Sequence, residues 1–573
     1  MKIWEKWRGS LAVGFVFLSM TLVLFGFYNA GTLRGNLDNH ILSSEMFGVP
    51  DEVRARGVTP LYGAKDSGWD GQFYFYMAND ILARKDTAKH IDSPSYRYQR
   101  IGLSLYTAIV ARLTGRDWVS PTTFFLSYLG LIFVATIAGA QLLKRLGAHP
   151  ALVLLWSFSV GTQLTLFNAL PDAAADAFLI LALSLVFANR VGWSAIPFVF
   201  AALSREVYAL FPSAILGFGL LAALRGTTGV GIFRRLSDLL LARAYGLLLL
   251  PGIIAVAWNL YVTQHFGVTP SSQAHGILGM PLAAWARSMD VAMHPAHTGG
   301  QLRLGGFEFF SLILFLLVLI AALKIASKTL RLPQGPMRPV VHGVAASSAM
   351  FAILYACFGP TVTAHYTGYF KAIAVFFFLI PLLVAVTGSG PRLKHGLYLL
   401  LGVALLHTTS GNLGQRVFAS NLNFDKFTRM TTVTETRRTE CFGTYEADVK
   451  VNRLHLIKTT PLGVLFGARD QLVVNVALTN TGQHPFVSAI GFGSVFMSYH
   501  WNDASGQTVV DGIRSALPGP VQPGQTVNVD VVTFVPEQSG LSLKLSPVQE
   551  GCAWFYQANG KVAGNVAFST GSP

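Results

Sequence analysis

The sequence predicts a polytopic α-helical membrane protein of about eleven transmembrane helices, followed by a C-terminal all-β sandwich domain. Three observations carry this. Of the 573 residues, 52% are hydrophobic and only 12% charged, too apolar for an ordinary soluble chain. Apolar runs recur between residues 10 and 407 at lengths near that of a bilayer core, and beyond about Thr431 the pattern shortens to alternating runs broken by Gly and Pro, the period of strands.

The runs are 10–30, 99–113, 121–143, 150–168, 172–189, 195–221, 239–261, 307–325, 341–358, 369–386 and 395–407. The first follows Lys2, Lys6 and Arg8, as a cleavable signal would, but its stretch 11–28 is longer than a signal core of roughly 7–15 residues. It reads as an uncleaved first helix. Short cytoplasmic loops are rich in Lys and Arg, and with the N-terminus inside such loops hold Arg225, Arg234, Arg235, Arg243, Lys324, Lys328, Arg331, Arg338, Arg392 and Lys394. Lys144 and Arg145 break the pattern, because the count places them outside. The domain reading is a membrane domain 1–410, a linker 411–430 and an outer β-domain 431–573. Two long outer loops, 31–98 and 262–308, belong to the membrane domain.

The net charge of +15 lies mostly between apolar runs, which makes it a topology signal; no basic stripe with interleaved aromatics suggests nucleic acid. Membrane lipid is the expected surrounding partner. In the β-domain, LVVNVALTN (472–480), VNVDVVTFVP (527–536) and LSLKLSPV (541–548) alternate as strands do. Cys357 falls in a span, whereas Cys441 and Cys552 fall in the outer domain, where they form either a disulfide or two buried thiols.

Candidate chemistry concentrates in SGWDGQFYFYMAND (67–80) and SPSYRYQRIG (93–102). Asp70 is the candidate catalytic base for sugar transfer, since a carboxylate can take the proton of an incoming hydroxyl. Gly68 and Gly71 would let the backbone close around a ligand, and Trp69, Gln72, Tyr74 and Tyr98 are candidate substrate-lining residues. An interfacial aromatic belt with an incidental acid is the plainer reading. Asp51 and Glu52 are reserve acids or solvated loop charges. Arg97 and Arg100 match the bidentate geometry of a phosphate, although arginines also snorkel at helix ends.

Arg205 and Glu206 sit inside an apolar run, where ionisable residues are costly and point to function or to bracing of the bundle. Arg205, His365 and Lys371 are further candidates to bind a phosphate, and Glu206 to line a substrate. The loop 262–308 holds His265, His275, His294, His297, Trp285 and Arg287. Its HPAH spacing lacks the ligands that would complete a zinc set, so a lid is the preferred reading. The count places Asp172 and Asp176 on the cytoplasmic side, away from direct catalysis. No Gly-rich phosphate loop followed by Lys and Ser or Thr is present, so no cofactor is expected, and a divalent metal is left open.

WDGQFYFYMA followed by YRYQRIGLSLYTAIVARL resembles the GT-C superfamily of polyprenyl-phosphate-sugar-dependent glycosyltransferases, of the kind found in bacterial cell-surface glycopolymer formation. The resemblance implies a GT-C-like helical domain in the bacterial inner (cytoplasmic) membrane, with the C-terminal domain on the periplasmic or extracellular side. It further implies an inverting transferase that moves sugar from a polyprenyl-phosphate donor to a glycan or lipid-linked acceptor, with a first-loop acid as base. Asp70 is the matching position and Asp51 the reserve. Many members carry paired acids, whereas WDG holds one, and the Asp51–Glu52 pair lies upstream. MSYHWNDASGQTVVDGIRSALPGPVQPGQTV, with PVQEGCAWFY beyond it, looks like the β-sandwich module of polysaccharide-assembly proteins. Tyr499, His500, Trp501 and Trp554 there would pack on sugar rings or fill the core. Two rival readings are an O-antigen polymerase or ligase using the loop 262–308, and a non-enzymatic flippase or glycan-export partner.

Overall fold

The computed structural model describes residues 2–33, 36–62, 67–224, 230–273, 276–293, 305–332, 337–413, 439–457, 470–489, 492–536, 540–560 and 562–566. His275, His294, His297 and most of the expected linker lie outside the described residues. The chain divides into two units, Met1–His294 with Leu304–Asn412, and Pro295–Arg303 with Leu413–Pro573.

The first unit is helical. Among the described residues, seven of its helices are long and apolar enough to cross a membrane: Trp7–Asn29, Pro121–Arg145, Glu206–Leu224, Tyr245–Phe266, Phe307–Leu330, Arg338–Ala356 and Tyr366–Thr387. Pro150–Ser157 and Val160–Phe167, bent by 55°, make an eighth if taken as one span. The difference from eleven has local causes. The run 99–113 forms the 12-residue helix Gly102–Leu113, which at 1.5 Å per residue is only about 18 Å long. Asp172–Phe187 and Val191–Ser204 are likewise short, at 16 and 14 residues, and the run 395–407 lies in Pro391–Leu413, 23 residues long but outside the set of seven. The run 195–221 is two helices, because Arg205 takes an extended conformation (φ −151, ψ 117) between Val191–Ser204 and the turn Glu206–Ala209.

Side-chain bonds fix which helix ends lie together. Ser10 Oγ donates to Gln141 Oε1 at 2.8 Å, and Tyr28 Oη donates to Asn168 Oδ1 at 3.3 Å. The start of the first helix therefore lies beside the end of Pro121–Arg145, and its far end lies beside Asn168 and the first loop. The helix Gly102–Leu113 does not carry the chain across: Ser104 Oγ donates to Tyr74 O at 2.6 Å. Beyond the same helix, Val119 N donates to Asn79 Oδ1 at 3.0 Å, so both of its flanks are tied to first-loop residues. Removing that crossing shifts the parity of the spans from Pro121 to Ser204, and the split of the run 195–221 at Arg205 restores it beyond. Lys144 and Arg145 thus share an end of the bundle with Lys2, Lys6 and Arg8, where the sequence count had them outside. Asp172 and Asp176 move from the cytoplasmic side to the first-loop end.

The second unit is β-rich. Its strands are β1 (Ala447–Ile457), β2 (Gln471–Asn480), β3 (Val495–Asn502), β4 (Thr508–Asp511), β5 (Thr526–Phe534), β6 (Ser542–Gln549), β7 (Ala553–Trp554) and β8 (Gly564–Val566). They form an antiparallel sheet β1-β2-β5 and a second sheet β4-β3-β6-β7, with β8 also on β6. Alternate residues of each sheet meet in one core, with Leu472, Val474 and Val476 from one and Met497, Tyr499, Trp501, Leu543 and Leu545 from the other. Cys441 and Cys552 form a disulfide across 111 residues of sequence. Of the four aromatic candidates, Tyr499 and Trp501 are core residues, and Trp501 Nε1 donates to Thr533 Oγ1 at 2.8 Å. His500, one step along β3, points the other way and packs 3.8 Å from the Trp554 ring, over which the Arg514 guanidinium also lies at 4.9 Å.

Candidate functional site

The sequence around Asp70 folds into a turn and the short helix Gly71–Ala78, with Asp70 at its N-terminal cap position. Two glycines expected to admit a ligand instead admit the protein's own backbone. A Cβ on Gly68, whose φ is +63, would stand 2.4 Å from Leu42 O, and one on Gly71 would stand 1.9 Å from Asn168 O. Gln72 is equally occupied: its Nε2 donates to Ser67 O at 2.9 Å and Trp69 O at 3.1 Å, while its Oε1 accepts from Ser44 N at 3.1 Å. It staples the turn that presents Asp70. Tyr98 is buried with its hydroxyl on Asp80 O at 3.0 Å, and Trp258 Nε1 donates to Tyr98 O at 2.7 Å. These bonds hold the arginine-bearing segment against the helix Leu250–Phe266.

On this frame Arg97 Nη1 donates to Asp70 Oδ2 at 2.8 Å, while its Nε and Nη2 grip the two oxygens of Asp92 at 2.9 and 2.7 Å. Burial works against the Arg97 cation, yet the Asp92 hydrogen bonds and the Asp70 charge raise its pKa above the ordinary arginine value. The side chain of Asp70 is 46% exposed, against 11% for Arg97, so the carboxylate stays reachable while its partner is fixed. Arg97 and Arg100 both lie over the Tyr96 ring, at 5.6 and 4.5 Å. Tyr74 is buried beside both; burial pushes its phenol up to about 12, against the pull of the two guanidinium groups.

The network continues inward. Arg100 Nη2 is 3.5 Å from Glu206 Oε1, Arg205 Nη1 is 3.0 Å from Asp172 Oδ1, and Lys371 Nζ is 3.8 Å from Asp172 Oδ2. Backbone proximity makes these meetings possible. A Cβ on Gly102 would stand 2.3 Å from Ser204 Oγ, and one on Gly161 would stand 2.6 Å from the Ala374 Cβ and 3.1 Å from the Lys371 Cα. Four cations, Arg97, Arg100, Arg205 and Lys371, thus meet four carboxylates, Asp70, Asp92, Glu206 and Asp172. Several polar atoms here are buried without a hydrogen-bond partner among the described residues: Arg100 Nε, Glu206 Oε2, Ser204 Oγ and the Tyr355 hydroxyl. Buried orphans of this kind cost about 1–3 kcal/mol each. They concentrate at the inner end of the network.

The other candidates are placed apart from this line. His365 Nε2 is 3.5 Å from Glu308 Oε1, a buried carboxylate that also accepts from Tyr366 N and Tyr369 Oη, both at 2.9 Å. Of the pair His365 and Lys371, only Lys371 reaches the arginine network through a described ion pair. The reserve acids lie elsewhere in the loop: Glu52 pairs with Lys85, and Asp51 uses its backbone N–H to bond Asp86 Oδ2 at 3.1 Å. His265 bonds Ala83 O at 3.0 Å, and among the described residues no group of three or more His, Cys, Asp or Glu could hold a metal ion.

Sequence reasoning missed Asp92 and misplaced Asp172. The spacing of Asp92 five residues before Arg97 was a signal for the first. For the second, the cost of an acid in an apolar run was the signal, and a single non-crossing helix masked its location. Comparison of the chain with protein-family models, with curated proteins and with solved structures found no match.

Proposed function

We propose that this chain is a membrane-embedded inverting glycosyltransferase, acting on a polyprenyl-phosphate sugar and a glycan or lipid-linked acceptor at the outer face of a bacterial cytoplasmic membrane. The observation that carries this reading is the exposed Asp70 carboxylate, held by Arg97 at 2.8 Å at the rim of a buried network of cations. In this mechanism Asp70 takes the proton of the acceptor hydroxyl as its oxygen bonds to the anomeric carbon. The bond from that carbon to the phosphate oxygen breaks on the opposite side, and the electron pair leaves with polyprenyl phosphate. Arg100, Arg205 and Lys371 are positioned to offset the charge of the leaving phosphate. The orphaned Arg100 Nε and Ser204 Oγ supply donors that the protein itself leaves unused.

The reading further takes the helical unit as GT-C-like, with the Arg145 end of the bundle toward the cytoplasm and Asp70 on the outer side. The test incubates purified full-length protein with a panel of polyprenyl-phosphate sugars and measures release of polyprenyl phosphate. Asp70→Asn is expected to lower the rate by about 10²–10⁴, the range for loss of a general base, and Glu52→Gln to leave it near wild type. Retention of activity by Asp70→Asn would favour a polymerase or ligase centred on another loop. Binding of lipid-linked glycan with no release of polyprenyl phosphate from any donor would make the protein a carrier.

A further inference from the structure

The opposite end of the helical unit holds a feature that the transfer chemistry does not use. A cavity of about 690 Å³ lies between the helices ending at Arg145, Phe187 and Ser204 and the start of the first helix, a size in the range of small-molecule sites. Its polar rim is Trp7, Gln141 and Arg145, and its apolar wall includes Leu181. At the far end Tyr106, Phe178 and Phe200 close together, with ring centroids 5.4 Å apart for Tyr106 and Phe178 and 5.1 Å for Phe178 and Phe200.

Arg145 ends its helix and Ala188 stands just past the end of another, so the rim lies at the end of the bundle. Phe178 lies ten residues before Ala188, a depth of about 15 Å along a helix. The cavity wall also includes Trp193 and Ile196, which are 67% and 54% exposed. The opening therefore faces the surroundings of the bundle. Tryptophans at one level mark a headgroup zone, and Trp7 and Trp193 stand near the same end. Arg8, Arg145 and Arg190 there are all exposed.

We propose that this cavity is a binding site for one anionic phospholipid, its phosphate on Arg145 between Trp7 and Trp193 and one acyl chain laid along Leu181 toward Phe178 and Phe200. A deep apolar bed selects a hydrocarbon chain by burial, and a cation at headgroup level selects a negative head. The site is independent of the chemistry at Asp70.

The test titrates full-length protein in neutral detergent with phosphatidylglycerol and phosphatidylcholine of identical chains, counting bound lipid by native mass spectrometry. Phosphatidylglycerol is expected to bind about five-fold more tightly, the factor for one basic residue at a membrane surface. Arg145→Gln should erase that preference, and Ala138→Phe, which intrudes on the cavity, should weaken both lipids. Equal affinity of the wild type for the two lipids overturns the proposal and requires no variant to fold. So does an undiminished preference in Arg145→Gln. Displacement of phosphatidylglycerol by inorganic phosphate would show a site that reads only the head. Displacement by lower concentrations of polyprenyl phosphate would reassign the cavity to the donor's chain. Either result sinks the phospholipid assignment.

Discussion

The two aspartates of the charged network differ in what surrounds them, and that difference divides their tasks. Asp70 is nearly half exposed at the rim, whereas Asp172 is 11% exposed and holds Arg205 and Lys371 together. Removing one partner of an enclosed ion pair leaves the other charge buried and uncompensated, at a cost of about 3–5 kcal/mol. Asp172→Asn is therefore expected to lower the thermal midpoint of the purified protein markedly. Glu52→Gln, which breaks the exposed pair with Lys85, should shift it little, since such pairs contribute at most about 1 kcal/mol. Similar midpoints for the two variants would refute the structural role given to Asp172.

His40 makes a separate residue-level case. It is fully buried, its Nε2 bonds Leu166 O at 3.0 Å, and burial lowers its pKa from 6.5 to about 4 although that hydrogen bond works the other way. Between those values the unfolded chain binds the proton that the folded chain refuses. Stability from this group is thus complete above about pH 6.5 and is lost as pH falls toward 4, by about 3 kcal/mol. Unfolding midpoints of wild type measured from pH 7.5 to 4.5 should fall more steeply than those of a folded His40→Gln variant, and parallel curves would remove the assignment. Neither residue was legible as important from the sequence. His40 gave no pattern at all, and the weight of Asp172 depended on knowing which helix end it occupied.

At the scale of elements, glycines set the close approaches that bring the charges together. Gly102 opens the helix Gly102–Leu113 against Ser204, the last residue before the Arg205 break. An added Cβ would stand 2.5 Å from Ser204 N and 2.7 Å from Phe200 O, both backbone atoms that cannot swing away. Gly102→Ala is expected to destabilise by about 1–3 kcal/mol, as overpacking does, and to disturb the Arg100–Glu206 contact. Gly217, in the helix Leu210–Leu224, has nothing within 4 Å of its would-be Cβ, so Gly217→Ala should be neutral or stabilising by up to about 1 kcal/mol. Thermal unfolding of the pair measures the contrast, and equal effects would mean that the close approach does not constrain the fold. The elements were largely legible: the long apolar helices and the alternating strands of the second unit fell where hydropathy put them. The break at Arg205 was not, because a long apolar run around it hides an extended residue whose side chain pairs with Asp172, a partner distant in the sequence.

For the whole molecule, one short helix decides the sidedness of the spans that follow it as far as the Arg205 break. Counted as a crossing, 99–113 sends Lys144 and Arg145 to the side of the first loop and Asp172 to the opposite side. The bonds Ser10–Gln141, Tyr28–Asn168 and Asn79–Val119 give the reverse, and the reverse agrees with basic residues gathering at one end of the bundle. Hydropathy measures length and apolarity, and neither quantity tells a 12-residue helix that turns back from one that continues. Single cysteines in place of Arg8, Arg145, Asp70 and Asp92, in a Cys357→Ser background that keeps the Cys441–Cys552 bridge, separate the two arrangements. In sealed, oriented vesicles an impermeant maleimide should label positions 8 and 145 from one side and positions 70 and 92 from the other. Labelling of 145 together with 70 would restore the crossing of residues 99–113. It would also part Asp172 from Arg205 and dissolve the charged network on which the transferase reading rests.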